Sequence, residues 1–288
     1  MFDFRYHALS LAAVFIALVV GLLLGVAIGD KEGLVSSARK DLRSSLRADV
    51  RQASQERDEA NTRLREQRQF ADAAYPILTQ DQLRGRNVGL VVLGSDDAAP
   101  ALIRRALQPT GADLSLVAIV RENVDLSALA DRARGTRYAD LAQDPSLLDD
   151  LGRRVGIQMV LGGKLVRQLR TPLMQTLSGE FGALDGVIVM RPGGAPKGTD
   201  TAKQLAELQD GIARGLVQTG VKVVGVERRA SDRSHIGWYR DRELSTVDNI
   251  DEQAGRAAMV FVLAGAQGAY GRRDSAQALL PPVVGRVR

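Results

Sequence analysis

The sequence predicts an α/β protein with three parts: a transmembrane helix, a helical coiled-coil stalk and a folded head. Residues 9–29, LSLAAVFIALVVGLLLGVAIG, contain no charged side chain. Residues 33–71 are rich in charge and contain no proline, and no glycine after the first position. From residue 86 onward, continuous apolar runs alternate with helical patterns. Such an alternation is typical of a parallel sheet covered by helices.

The apolar segment 9–29 has the length of a membrane-spanning helix. At about 1.5 Å per residue it reaches roughly 31 Å, the thickness of a hydrocarbon core. A signal peptide has a shorter apolar region, of about 7–15 residues, after a positive start. We therefore predict a retained anchor behind a short tail, residues 1–8. The alternative is a signal peptide that is cleaved after Gly29. Within the segment, Gly21 and Gly25 are either a pair that lets another helix approach closely or simply the glycines that are common in membrane helices.

The charges that flank the anchor leave its orientation open. Lys31, Arg39, Lys40 and Arg43 follow the segment, whereas only Arg5 precedes it. By the positive-inside rule the C-terminal side is cytoplasmic. A long following domain can be translocated regardless of this charge bias.

Composition limits the kinds of function that the chain can have. Of its 288 residues 45% are apolar, which is enough for one folded domain of about 200 residues beside the anchor. The net charge of +5 indicates an anionic lipid surface rather than nucleic acid as the neighbour of an anchored chain. The absence of cysteine excludes disulfides, thiolate metal sites and cysteine nucleophiles.

Residues 30–75 are predicted to form a coiled-coil stalk that requires a partner helix, in a homo-oligomer or with a membrane partner protein. Tyr75-Pro76 is predicted to end it, because proline interrupts a helix. A single solvated helix is the alternative. The predicted seam has alternating spacings of four and three residues: Leu46, Val50, Ala53, Arg57, Ala60, Leu64, Gln67 and Ala71.

Four arginines recur at every fourth position of the stalk, namely Arg39, Arg43, Arg47 and Arg51. They lie on one helix face, where like charges cost about 0.2–0.5 kcal/mol per pair. We prefer an acidic partner helix as the group that offsets this repulsion. Lipid headgroups, or solvent and salt, are the alternatives. Together with Leu46 and Val50 these arginines are the candidate partner-binding residues.

Residues 86–271 are predicted to form a Rossmann-like, mostly parallel sheet with helices on both faces. Strands are predicted within 87–97, 114–120, 185–194 and 221–227, and helices over 100–107 and 201–220. Residues 146–180 are expected to supply further helices, interrupted by Pro172. The pattern of residues 257–271 fits either a strand or a buried helix. A loose tail, 272–288, is expected to follow.

Two loops follow predicted strands, where open parallel sheets bind their ligands. The first, Gly94-Ser95-Asp96-Asp97, lacks the spacing of a dinucleotide-binding loop, and its carboxylates fit better as helix caps. The second, around Arg191, is either an anion-binding loop or a plain turn. The cofactor-binding candidates are therefore weak ones: Gly94, Ser95, Asp96, Arg191, Gly193 and Gly194.

The sequence offers no converging catalytic or metal-binding set. His7 and His235 are the only histidines, no nucleophile elbow of the G-x-S-x-G type is present, and the spacing of metal ligands is absent. His235 is expected to be a surface turn residue. Met159, Met174, Met190 and Met259 are interpreted as core residues rather than Cu(I) ligands. We therefore expect no enzymatic activity, no catalytic residue, no metal site and no cofactor.

Two stretches resemble a known family. FRYHALSLAAVFIALVVGLLLG at the start and ELSTVDNIDEQAGRAAMVFVLAGAQGAYG at 243–271 are similar to the actinobacterial MctB family of copper transport proteins, also described as the SteB cell-separation family. The motif residues are Ser245, Thr246, Val247, Asp248, Ile250 and Asp251. The resemblance implies a cell-envelope protein whose head lies outside the cytoplasmic membrane and which acts in copper efflux or resistance. Family members have also been linked to cell separation together with a membrane partner.

Two function hypotheses follow. In the first, the chain is a copper transport protein; copper enters through the resemblance alone, because Cu(I) prefers sulfur and imidazole ligands, which this sequence does not cluster. In the second, the chain is a non-enzymatic scaffold or regulator of cell separation that acts through its coiled coil and α/β head.

Overall fold

The computed structural model describes residues 4–29, 32–193, 200–229, 231 and 233–282. Contacts group the chain into two compact units, Met1–Arg68 and Gln69–Arg288. The long second helix begins in the first unit, and its last turns belong to the second.

The first unit is helical. Helix α1 spans Phe4–Gly29, and within it Leu9–Ala27 has a mean hydropathy of 2.8 and is not buried by the protein. This helix is long and apolar enough to cross a membrane, as predicted. Helix α2 spans Glu32–Thr79. Within residues 32–69, the side chains that the structure describes are all exposed.

The prediction that α2 ends at Tyr75-Pro76 is wrong, because the helix continues to Thr79. Tyr75 is buried, and its hydroxyl donates to the carbonyl of Ala106. The Thr79 hydroxyl in turn donates to the carbonyl of Tyr75 at 2.8 Å. These contacts hold the last turn, while Pro76 removes only one backbone donor.

The second unit, the head, contains a seven-stranded sheet in the part of the chain that the structure describes, in the order β3-β2-β1-β4-β5-β6-β7. Neighbouring strands are parallel except for β3, which runs antiparallel to β2. The prediction of a mostly parallel sheet is thus confirmed. The strands are β1 Asn87–Leu93, β2 Asp113–Val120, β3 Met174–Gly179, β4 Gly186–Met190, β5 Lys222–Val226, β6 Ser245–Val247 and β7 Ala269–Tyr270.

Helices cover both faces of the sheet. Alternate strand residues belong to two separate cores: Val91 shares one core with residues of the helices between Leu126 and Arg240, and Leu90 shares the other with residues of the helices Ala99–Leu107 and Gln253–Ala264. This alternation follows from the period of two along a strand. The helices are α3 Ala99–Leu107, α4 Leu126–Arg132, α5 Leu148–Leu161, α6 Lys164–Leu173, α7 Asp200–Gln218, α8 Ile236–Arg240 and α9 Gln253–Ala264.

The two ambiguous regions are resolved by tertiary contacts. Residues 257–271 contain the end of the buried helix α9 and the short strand β7. Residues 146–180 contain two helices, as expected, but also the antiparallel edge strand β3. Pro172 lies in the last turn of α6 rather than between helices. Most of β3 is polar and exposed, so it has no apolar run by which to recognise it.

Helices α5 and α7 pack closely through glycines spaced by four residues on each helix. Gly152 and Gly156 of α5 face Gly211 and Gly215 of α7. A Cβ atom on Gly211 would lie 2.8 Å from the Arg153 backbone nitrogen, and closer still to the Asp149 carbonyl. A Cβ atom on Gly156 would lie 3.0 Å from the Leu216 nitrogen. Side chains larger than hydrogen would force these backbones apart.

The predicted loose tail, 272–288, is wrong for its described part, residues 272–282. The backbone amides of Arg272 and Arg273 donate to Asp248 at 2.8 and 2.9 Å. Ala278 pairs with Tyr270 next to β7. Buried hydrogen-bond acceptors in the head therefore hold this segment in place. Residues 283–288 lie outside the described residues.

Candidate functional site

The sheet order places a crevice at the carboxyl ends of β1 and β4. From β1 the chain continues to β2 on one side, whereas β4 and β5 lie on the other, and ligands of open α/β sheets bind where the order reverses. The two loops chosen from the sequence meet here. A Cβ atom on Gly94 would lie 3.3 Å from the Pro192 carbonyl, and the φ of Gly94 is +132°, which favours glycine.

The loop after β1 uses its polar groups within the protein. The Ser95 backbone amide donates to Glu122 at 3.0 Å, and its hydroxyl donates to Gln175 at 2.9 Å. Asp96 Oδ1 accepts from the Ala98 and Ala99 amides, each at 3.1 Å, at the start of α3. Asp96 therefore caps the turn that leads into α3, whereas the N-cap residue itself is Ala98, which makes no side-chain cap.

Arg228, which follows β5, lies in the crevice and forms an ion pair with Asp96. Its Nη1 lies 2.8 Å from Asp96 Oδ2, and its Nη2 donates to Asp96 Oδ1 at 3.1 Å. Only 8% of the Asp96 side chain is exposed, so this two-bond ion pair is shielded from water. The Asp96 carboxylate is neutralised by the Arg228 guanidinium and is not presented to a ligand.

The loop after β4 is likewise occupied by internal partners. The Arg191 backbone amide donates to the Tyr239 hydroxyl, and its Nε donates to Gln209, both at 2.8 Å. Its guanidinium lies 4.9 Å above the centre of the Trp238 ring, and burial lowers the pKa of Arg191. The geometry favours a packed turn over an anion-binding loop. Gly193 accepts a hydrogen bond in this turn, and Gly194 lies outside the described residues.

His235 is buried at the same edge, so the expectation of a surface turn residue is wrong. Only 5% of it is exposed. Arg191 Nη1 lies 3.1 Å from Nδ1, which therefore accepts, and Nε2 donates to the Gly193 carbonyl. Burial lowers the pKa of His235, and the nearby Arg191 acts in the same direction. A neutral ring with both nitrogens bonded is suited to a structural role.

Glu227 is a residue that the sequence interpretation missed. It follows β5 directly and is 3% exposed. Its carboxylate accepts from the Ser234 hydroxyl at 2.9 Å and the His235 amide at 2.8 Å, and lies 2.6 Å from Arg273 Nε. A carboxylate at the end of a buried parallel strand was the signal that could have found it.

The family motif joins β6 to the C-terminal segment. Asp248 is 2% exposed and accepts both amides that hold residues 272–273. Asp251 accepts from the Arg229 amide at 2.8 Å, and the Ser245 hydroxyl accepts from Gly268 at 3.2 Å. Thr246, Val247 and Ile250 are buried. The motif therefore stabilises the fold around the end of the sheet.

Next to the motif, Glu252 joins two arginines. It lies 2.9 Å from Arg229 and 2.6 Å from Arg272. Burial acts to raise the pKa of Glu252, but hydrogen bonds from Arg272, Asn249 and Arg229 outweigh it and lower the pKa. The carboxylate is thereby kept ionised as part of the same structural network.

The methionines pack in the cores, as interpreted. Met159 and Met174 lie in the core under α4 to α8, and Met190 and Met259 in the core under α3 and α9. None of these four is more than 3% exposed. Within the described ranges, no group of three or more histidine or carboxylate side chains is arranged to hold a metal ion.

The candidate partner-binding residues belong to the first unit. Arg43, Arg47 and Arg51 are exposed on α2, and the side chain of Arg39 lies outside the described residues. Leu46 is 53% exposed and Val50 is 67% exposed. Large apolar side chains this exposed are available to a partner helix.

Comparison with known proteins agrees with the motif and the architecture. No curated protein matches the chain. The sequence profile of the family described as "Copper transport outer membrane protein, MctB" matches residues 1–281, a range that includes α1, α2 and the seven-stranded sheet. The chain therefore belongs to the MctB family of copper transport outer membrane proteins.

Proposed function

We propose that this protein is a single-pass membrane protein of the cell envelope that supports copper transport or resistance through protein partners, without a strong copper site of its own and without enzymatic activity. Family membership supports the link to copper. The apolar helix Leu9–Ala27 supports the membrane anchor, and hence lipid as a neighbour.

The observation that carries this proposal is the position of the soft donor atoms. Cu(I) is bound by clustered thiolate, thioether or imidazole ligands. Met159 and Met259 lie in cores on opposite faces of the sheet, and both ring nitrogens of His235 are engaged. Copper binding by these groups would require opening a packed core. Copper is accordingly a cargo of the assembly rather than a ligand of this head.

A Cu(I) competition titration tests the proposal directly. The full chain in nonionic detergent is titrated against a coloured Cu(I) chelator, and we expect no binding tighter than micromolar. Met159→Leu and Met259→Leu serve as matched variants that preserve core volume. Sub-micromolar binding by the natural chain would contradict the proposal, and its loss in either variant would identify the methionine that binds.

The exposed seam of α2 favours a second candidate function, the scaffold or regulator of cell separation. Leu42 and Leu64 are 61% and 44% exposed, and with Leu46 and Val50 they form an apolar stripe on a charged helix. Such a stripe fits association with a second copy or with a membrane partner's helix. The arginine column beside it favours an acidic partner helix. The contact, rather than a reaction, would transmit the signal.

Deletion phenotypes separate the two functions. Copper sensitivity with normal cell separation supports the first, whereas chained cells with unchanged copper tolerance support the second. Replacing the four arginines of the column with glutamine tests the acidic partner, because unchanged partner capture and self-association would exclude it.

We further propose that the head lies outside the cytoplasmic membrane, as the family resemblance implies. The charge bias around the anchor predicts the opposite. Protease digestion of intact cells stripped of their wall distinguishes the two, since only an external head is cleaved. Protection of the head until the membrane is permeabilised would place it in the cytoplasm.

A further inference from the structure

A cavity of about 570 Å³ lies in the head between α5, the start of α6 and the turn after α4. The described residues that line it include five cations and no carboxylate: Arg134, Arg137, Arg153, Arg154 and Lys164. Tyr138, Ile157 and Leu165 contribute apolar surface, and Gln158 and Gln168 contribute amides. The function proposed above makes no use of this cavity.

Asp150 fixes two of the five cations. It forms an ion pair with Arg137, and its Oδ1 lies 2.7 Å from Arg153 Nη2. The buried Tyr138 hydroxyl donates to its Oδ2 at 2.6 Å. Burial acts to raise the pKa of Asp150, but hydrogen bonds from Tyr138 and Arg153 and the nearby guanidiniums lower it overall. One ionised carboxylate thus orients two guanidiniums and leaves an excess positive charge.

The remaining cations carry more of this excess. Arg154 and Lys164 are exposed, and within the described residues neither makes an ion pair or side-chain hydrogen bond. Arg134 pairs with Asp131, but these side chains are 78% and 65% exposed, so water screens the pair.

The elements that carry these residues are held rigidly. Helix α5 is locked to α7 by the glycine contacts, and Gln158 Oε1 accepts from the Val166 amide at 3.0 Å in the first turn of α6. The N-terminal end of α6, which carries Lys164, adds a positive partial charge. The cavity is therefore preorganised for a negative ligand.

We propose that this cavity binds a phosphate group. Guanidiniums bind phosphate oxygens through paired hydrogen bonds, and lysine adds a point charge. The volume admits a small phosphorylated molecule or a lipid headgroup, which share this chemistry. In this proposal Arg154 and Lys164 bind the phosphate directly. Arg137 and Arg153, which Asp150 orients, add further positive charge. The Arg137 guanidinium lies 5.2 Å from the centre of the Tyr138 ring.

Pyrophosphate is the probe for the test, titrated calorimetrically into the full chain in nonionic detergent at low and high salt. We expect saturable binding that weakens with salt, and at least tenfold weaker binding in Arg154→Gln/Lys164→Gln. The matched control is Arg104→Gln/Arg105→Gln, which removes the same charge from exposed positions of α3 on the other face of the sheet; its binding should stay within twofold of the natural chain.

Three further measurements complete the test. The swap Arg154→Lys/Lys164→Arg keeps the charge and should retain most of the affinity, and circular dichroism verifies that each variant is folded. If lipid headgroups are the ligand, nanodiscs containing phosphatidylglycerol will lower the affinity for pyrophosphate relative to phosphatidylcholine nanodiscs; equal affinities assign the site to a soluble phosphate compound. Absence of saturable binding by the natural chain, or an equal loss in the α3 control, would overturn the proposal.

Discussion

Gly211→Ala tests the close contact of α5 and α7. The added Cβ would lie 2.8 Å from the Arg153 nitrogen, where ordinary contacts begin near 3.4 Å, and nearer still to the Asp149 carbonyl. Both neighbours are helix backbone, so the two helices must separate to admit the methyl group. Overpacking of this kind costs about 1–3 kcal/mol. Helix propensity alone would instead favour alanine by about 0.5–1 kcal/mol.

Trp238, the only tryptophan, provides the assay. Its indole Nε1 donates to Asp210 of α7 at 2.8 Å, so its fluorescence reports on this helix during thermal unfolding. For a head of this size each kcal/mol of lost stability lowers the melting temperature by about 2–4 °C. We therefore expect the melting temperature of Gly211→Ala to fall by at least about 2 °C. Gly156→Ala combined with Gly211→Ala should cost less than the sum of the two, because one separation relieves both contacts.

The control is Gly237→Ala in α8, where a Cβ would meet no atom within 4 Å. It should leave the melting temperature unchanged or slightly raised. An equal or higher melting temperature for Gly211→Ala would refute the close contact and, with it, the rigid placement of the phosphate cavity on α5.

Three other outcomes are expected. Asp248→Asn should lower the free energy of unfolding by about 1–3 kcal/mol in urea denaturation. The two carboxylate oxygens each accept one backbone amide, from Arg272 and from Arg273, and asparagine would place a donating NH2 group against one of these amides. Burial lowers the pKa of His235 in the folded state, so the unfolded chain binds the proton first as the pH falls below about 6.5. The free energy of unfolding should therefore be smaller at pH 5 than at pH 7.5, and the difference between the two pH values should be smaller in His235→Asn. Leu46→Lys/Val50→Lys should weaken self-association or partner capture at least tenfold, measured by sedimentation or crosslinking, because charge is placed in the α2 seam.

Each of these expectations has a control. Asp274→Asn, on the same segment but exposed, should not change the unfolding free energy. A pH dependence identical in the natural chain and His235→Asn would assign the effect to other groups. For the stalk, Ala48→Lys/Gln55→Lys adds the same two charges at exposed positions outside the seam; an equal effect of these substitutions would show that general charge, and not the apolar stripe, governs association.

Much of the architecture was predictable because it depends on local patterns. The apolar helix is visible from residues 9–29 alone, and the central strands are visible because burial on both faces requires continuous apolar runs. The strand β3 was not predictable, since an antiparallel edge strand that is mostly polar has no such run. The helix through Pro76 was also missed, because the burial of Tyr75 that stabilises it involves the distant Ala106.

The candidate site shows the same division. The sequence indicated the loops at Gly94 and Arg191 by the rule that ligands bind beyond strand ends, and it indicated the capping role of Asp96. It did not indicate that Arg228 neutralises Asp96 or that Arg191 faces His235, because these partners are distant from one another in the chain.

By itself, the sequence determined a helix long and apolar enough to cross a membrane, the long charged helix, the class of the sheet and the family, since each of these is encoded in neighbouring residues. Only the tertiary structure decided which charges are neutralised and which stay open. The crevice at the strand ends is filled by its own ion pairs, whereas five cations from three separate elements surround an open cavity. Electrostatic function depends on distances between side chains, and those distances are fixed only when the chain folds.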